Sequence, residues 1–397
     1  VNPLFTFTKK ENGLVIYLDN HSAARPCSAA IERMQPFLQE HWGAGFAPHR
    51  MGQELIVSLD SRYQAIYGLF GADLKEKFVF TSSGAEAVNQ VLLSVFLEQA
   101  RKEGKCHFIT TSLEDAPTMQ MMQRLEELGC FVKIVSVDRS GRIDLDQLRS
   151  LINPRTAMVS ATMADGLTGV LQPSLEIARI CQELGVLLHL DATYAVGKLD
   201  IAFSDLGVDY LTFSGDRMHA LKSSGGLFAK EKSTLSPLIA GGSEQNKLRG
   251  GAFDVPSFMA LAAAAGQSQL FLDTMGLETV RLRDLLEYEL MKKIPGAFSV
   301  FEDQLRLPNT AVVSFPKIHA ESLLYLLNRK NVFASLGGFY SQHLHRLLQA
   351  MGVEERTAEN SLHFSLSRYT TEEEITRAVA VISEAVLYLR TVSEDLF

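Results

Sequence analysis

The middle of the chain alternates short apolar runs with longer amphipathic ones. Lys77–Phe80 reads as a strand, and Glu86–Leu97 as a helix after a small-residue turn. His107–Thr110 is a predicted strand, Thr118–Leu128 a helix and Phe131–Ser136 a strand. Asp144–Ile152 reads as a helix opened by Asp144 with Gln147 three residues on, a capping-box-like start. Ala157–Ala161 (strand), Ser174–Leu184 (helix), Val186–Leu190 and Tyr210–Phe213 (strands) follow. Strands separated by helices predict βαβ units and a mostly parallel sheet. Past residue 255 the period changes. Pro256–Lys293 reads as one long helix bridging to a second, smaller α+β region. There Thr310–Phe315, Val332–Ala334 and Ser361–Ser365 are predicted strands, and His319–Leu327, Tyr340–Met351 and Glu372–Leu389 predicted helices. The last opens on a capping box, Thr371 with Glu374, and lines one face with Ile375, Ala378, Val379 and Ile382.

Length and charge narrow the picture. The 397 residues suggest about two domains at roughly 100–200 residues each. A net charge of −8 without basic clusters argues against nucleic acid as a partner. No stretch approaches the ~18 uninterrupted apolar residues of a membrane span, and no signal peptide is read at the start. Four scattered cysteines, Cys27, Cys106, Cys130 and Cys181, show no zinc or disulfide spacing. The expectation is a cytoplasmic protein with no metal. His343 and His345, two apart on a predicted helix, face different ways and read as a solvated face.

Several turns carry chemistry. In "FTSSGAEAVNQVLL" (80–93), Ser82, Ser83 and Gly84 open a helix: either a plain βα turn or a phosphate cradle. In "LLHLDATYAVGK" (187–198), Asp191 follows a buried strand. It is either a helix cap or a carboxylate holding a cation such as a protonated pyridine nitrogen. "TFSGDRMHALKSSGG" (212–226) and the Gly-rich "NKLRGGAFDVPS" (246–257) come next, at separations of about 110, 25 and 30 residues from the first turn onward.

This order, with "YLDNHSAARP" (17–26), "GAGFAPHRMGQE" (43–54), "GLTGVLQP" (166–173) and "SLHFSLSRYTTEEEI" (361–375), resembles the NifS/IscS-type cysteine desulfurases. These belong to the class V aminotransferases among the fold-type-I pyridoxal phosphate enzymes. The resemblance covers nearly the whole chain. It implies a large α/β domain, about 14–260, and a small α+β domain, 261–397, with residues 1–13 contributing an N-terminal strand. It also implies a homodimer, partners in sulfur-transfer or iron–sulfur machinery, and pyridoxal phosphate held as a Schiff base on a lysine.

The residues standing at the functional positions depart from that pattern. The tethering lysine corresponds to Arg217, whose guanidinium stays protonated and cannot form an imine. The phosphate-binding histidine before it corresponds to Asp216, and the ring-stacking histidine to Asp115. Ala85 and Ala252 replace phosphate-binding threonines, Asp165 an asparagine and Tyr194 a glutamine. The sulfur-accepting cysteine corresponds to Phe339, and the substrate-carboxylate arginine to His363. Asp191, Ser214, His49, Arg249 and the glycines survive, largely as scaffold, and Ser83, Gly84, Asp165, Asp191, Ser214, Asp216 and Arg217 outline a vestigial pocket. A non-catalytic homologue that acts by binding, with no covalent cofactor, accounts for these separate losses together. A divergent pyridoxal phosphate-dependent transferase or lyase, with an altered or absent tether, is the alternative. Lys222, five residues after Arg217, is the candidate substitute tether.

Overall fold

The computed structural model describes residues 14–338 and 343–394. The expected N-terminal strand within residues 1–13, and Phe339, lie outside the described residues. The strands are β1 (Ile16–Tyr17), β2 (Lys77–Thr81), β3 (His107–Thr111), β4 (Phe131–Val135), β5 (Thr156–Thr162), β6 (Leu187–Asp191), β7 (Tyr210–Ser214), β8 (Gly225–Ala229), β9 (Phe298–Ser299), β10 (Thr310–Ser314), β11 (Val332–Phe333) and β12 (Ser361–Ser365).

Seven of them form one sheet in the order β2-β8-β7-β6-β5-β3-β4. All neighbours are parallel except at β8, which runs antiparallel to both β2 and β7. The carboxyl ends of β2, β3, β5, β6 and β7 therefore share one edge, where ligands of open α/β sheets sit. β3, β5 and β8 are buried along their whole length, as a sheet covered on both faces requires.

Two of the predicted helices differ from those observed. The stretch read as one helix, Pro256–Lys293, is broken. Val255–Leu270 ends at Phe271, and a π-turn, Met275–Thr279, precedes Val280–Lys293. Helix Tyr340–Met351 is shorter: Leu344–Ala350 is helical with His343 at its N-cap. His343 therefore stands outside the helix, edge-on to His345 at 6.4 Å.

A separate core gathers Leu282, Leu286, Leu323, Phe364, Ile375 and Ile382 beneath the β12-β10-β9 sheet. Ile16 and Leu18 pack into this second core, and β1 pairs in parallel with β11. Among the described residues, no helix is long and apolar enough to cross a membrane.

Candidate functional site

The shared strand edge brings together Ser83, Gly84, Asp115, Asp165, Asp191, Ser214, Asp216 and Arg217. Asp191 and Ser214 are the last residues of β6 and β7, and the others follow a strand end by a few residues, so the sheet register fixes their spacing. β7 ends at Ser214 and passes into a single 3-10 turn, Gly215–Met218. Ser214 Oγ donates to Asp216 Oδ1 at 2.8 Å. Arg217 Nη1 donates to Asp216 Oδ2, closing a largely buried ion pair between neighbours in sequence. The Arg217 guanidinium also lies 5.9 Å from the centre of the Tyr194 ring. Burial opposes its charge, but Tyr194, Asp216 and Asp115 more than offset that and hold its pKa above the ordinary arginine value.

Tyr194 is the hub of the edge. Its hydroxyl donates to Asp115 Oδ2 at 2.8 Å. Its ring stacks on His21, with centroids 4.7 Å apart and planes 15° from parallel. His21 meets His363 edge-on at 5.2 Å. Gly166 admits both rings: a Cβ there would stand 2.5 Å from Tyr194 Cζ and 2.7 Å from His21 Cε1. Asp115, Tyr194, His21 and His363 thus form a continuous column with Arg217 against one side.

The protonation states follow from burial. Burial and the nearby Asp191 push the Asp115 carboxyl up to about 7. Burial pushes the neighbouring Glu114 up to about 8, although Thr111 Oγ1 (2.7 Å) and Thr162 N–H (2.8 Å) donate to one of its oxygens. His363 is pushed down to about 4 by burial, and its Nδ1 bonds the Leu167 carbonyl at 2.6 Å. A carbonyl only accepts, so Nδ1 carries the proton, and the neutral ring has no donor left for a substrate carboxylate.

The two remaining acids are committed locally. Asp191 accepts from Thr193 N–H at 2.8 Å. Asp165 Oδ1 accepts from Leu167 N–H, Thr168 N–H and Thr168 Oγ1 at 3.1, 2.6 and 2.7 Å, a closed turn of its own.

At the first turn, Ser83 caps helix Gly84–Val95 by accepting from Glu86 N–H at 3.2 Å. Glu86 reaches back, accepting from Ser82 N–H at 2.8 Å and Ser82 Oγ at 2.6 Å. Arg249 Nε pairs with its other oxygen at 2.9 Å. Gly225 lets the next strand pass beneath: a Cβ there would lie 2.4 Å from the Ser83 carbonyl carbon.

A family model for class-V aminotransferases matches residues 16–378. The chain belongs to the class V aminotransferase family. Among its relatives, the cysteine desulfurase of Nostoc sp. (strain PCC 7120 / SAG 25.82 / UTEX 2576) is 34% identical over 382 residues, covering 96% of this chain and 94% of that protein. The cysteine desulfurase NifS of Azotobacter vinelandii is 33% identical over 381 residues, with 95% and 94% covered. A solved NifS-like protein superposes with a TM-score of 0.88 at 30% identity, covering 95% of this chain and all of that one. These likenesses place the chain in the NifS/IscS-type branch of the class V aminotransferases, with the fold-type-I architecture.

Within this NifS-type fold, Lys222 is exposed and lines a surface crevice with Tyr17, Arg25 and Tyr369. The amine that stands near Arg217 is Lys198, the last residue of "LLHLDATYAVGK". Its Nζ donates to the Arg217 carbonyl at 3.2 Å. Burial and the Arg217 charge push it down to about 7. Sequence reasoning passed over Lys198, which ends its quoted motif, and His21, which stands in the middle of "YLDNHSAARP". His345, read as solvated, is half-buried and groups with Glu355 and Glu359, their ligand atoms within 4.8 Å of one another. Glu355 is exposed, while His345 Nε2 is shielded from solvent and has no hydrogen-bond partner.

Proposed function

We propose that this NifS-type chain is a non-catalytic class V aminotransferase homologue that acts by binding. The observation that carries the reading is Arg217. Its guanidinium is paired to Asp216 and laid against Tyr194, at the position where the family resemblance calls for a tethering amine.

Pyridoxal phosphate, which the resemblance implies, fits these residues poorly. Asp216 would set a carboxylate against the cofactor's phosphate, and like charges at contact are repulsive. Asp115 offers no ring to stack, and its carboxyl is engaged by Tyr194. His363 is neutral with its donor used, so a substrate carboxylate would meet no cation there. Asp191 alone keeps a suitable place for a ring-nitrogen partner. Lys198 is the one observation favouring a cofactor-using enzyme, since an amine with a pKa of about 7 is a competent nucleophile. However, its Nζ is turned to the Arg217 carbonyl in a crevice with Arg368 and His219.

The test is turnover of free cysteine with pyridoxal phosphate supplied. The wild-type chain and Arg217→Lys are both expected to release no alanine or sulfide, because the variant restores only one of the departed groups. Activity in the wild-type chain would overturn the reading; activity gained only in Arg217→Lys would show that Arg217 alone blocks turnover. For binding, large exposed side chains at Trp42 (69% exposed) and Phe46 (83% exposed) support a self-associating chain, as does the groove lined by Arg33, Pro36, Arg62 and Leu270.

A further inference from the structure

The crevice behind the Arg217 turn holds more cationic donors than acceptors. It is lined by Lys198, Arg217, His219, Ser367 and Arg368, with Asn20 and Asn309 beside them. Three solvent-shielded guanidinium nitrogens, Arg217 Nε, Arg368 Nε and Arg368 Nη2, have no hydrogen-bond acceptor. Arg368 Nη1 reaches only Ser268 Oγ, at a long 3.4 Å, while its plane rests 4.9 Å from the Phe271 ring centre and 5.2 Å from that of Tyr369. Lys198 carries three donors and spends one on the Arg217 carbonyl. The nearest acid, Asp216, has both oxygens taken by Ser214 and Arg217.

Buried donors left unmet are rare and costly, more so when charged. Two neighbours register the excess of positive charge. Lys198 is driven down to about 7 by burial and Arg217, and His219 to about 4 by burial and Arg368.

We propose that this crevice binds one compact monovalent anion of the halide class, held by Lys198, Arg217 and Arg368. Charge and narrowness decide the class: the lining offers open cationic donors and no acid, with little room beyond a small guest. A water would accept from two donors and leave the charge unneutralised. An anion between Lys198 and Arg368 would accept from donors left open there and join the 215–219 turn to the segment after β12. The proposal is independent of whether the chain turns over cysteine.

Bromide is the probe. At equal ionic strength, sodium bromide or chloride is expected to raise the melting temperature about 2 °C above sodium gluconate. Arg368→Met and Lys198→Met should remove that difference. In a bromide-soaked crystal of the unaltered protein, an anomalous peak is expected within hydrogen-bond distance of Arg368 Nε and Lys198 Nζ. Should either variant fail to fold, this crystal still decides. No anomalous signal at that position in the bromide-soaked crystal would overturn the proposal, as would identical melting in bromide and gluconate.

Discussion

Asp216 and Arg217 satisfy each other within one 3-10 turn, and that local closure sets their energetics. Removing one partner of a largely buried pair leaves a charge with no counter-charge, whereas replacing both with apolar groups removes that cost. Arg217→Met should therefore cost about 3 kcal/mol in urea unfolding, and the Asp216→Leu/Arg217→Met double variant much less. Equal losses in both would contradict the pairing. Glu114 offers a second test. Its carboxyl titrates near 4.5 when unfolded and is raised to about 8 in the fold by burial. Between those values the folded chain keeps a proton that the unfolded chain has released, so stability falls as pH rises through the window. Glu114→Gln should flatten that decline, read from denaturant midpoints across the window. His189 and His363, pushed down by burial to about 3 and about 4, act oppositely and withdraw stability as pH falls below 6.5. Arg217, Asp216 and Asp115 were legible in the sequence because they break a motif. His21 and Glu114 were not, because ring stacking and burial, which no local pattern encodes, give them their roles.

At the scale of elements, capping chemistry was readable and tertiary interruption was not. Thr371 and Glu374 form the reciprocal box expected of them, at 2.8 and 3.2 Å. Asp144 caps its helix through Gln147 N–H, but the Gln147 side chain turns away to accept from Ser136 N–H at 2.6 Å. β8 escaped notice: Gly-Gly-Leu-Phe-Ala has no alternation, and its glycines serve close packing against Ser83 and Phe213. The break at Phe271 has no Gly or Pro at the kink, so the helical period ran through it unmarked. The turn at Ser82–Glu86 carries its own prediction. Arg249→Met strips the cation from a buried Glu86 and should cost about 1–3 kcal/mol, measured by thermal or urea unfolding. An unchanged midpoint would show that the helix start does not depend on Arg249.

For the molecule as a whole, we propose a division near residue 260, with residues 16–18 counting with the C-terminal part through β1 and β11. We also propose a homodimer. Sedimentation should give twice the chain mass, and Trp42→Ser/Phe46→Ser should shift it toward the monomer; a wild-type monomer at micromolar concentration would contradict this. The central claim is that the family's cofactor position is filled by the chain's own side chains, Arg217, Asp216, Asp115 and Tyr194. The most direct test is titration of the purified protein with pyridoxal phosphate, followed by absorption spectroscopy. The predicted result is a spectrum that remains the sum of protein and free cofactor up to millimolar concentration. A saturable spectral shift at micromolar cofactor, with a lysine adduct found by mass spectrometry after borohydride reduction, would contradict it.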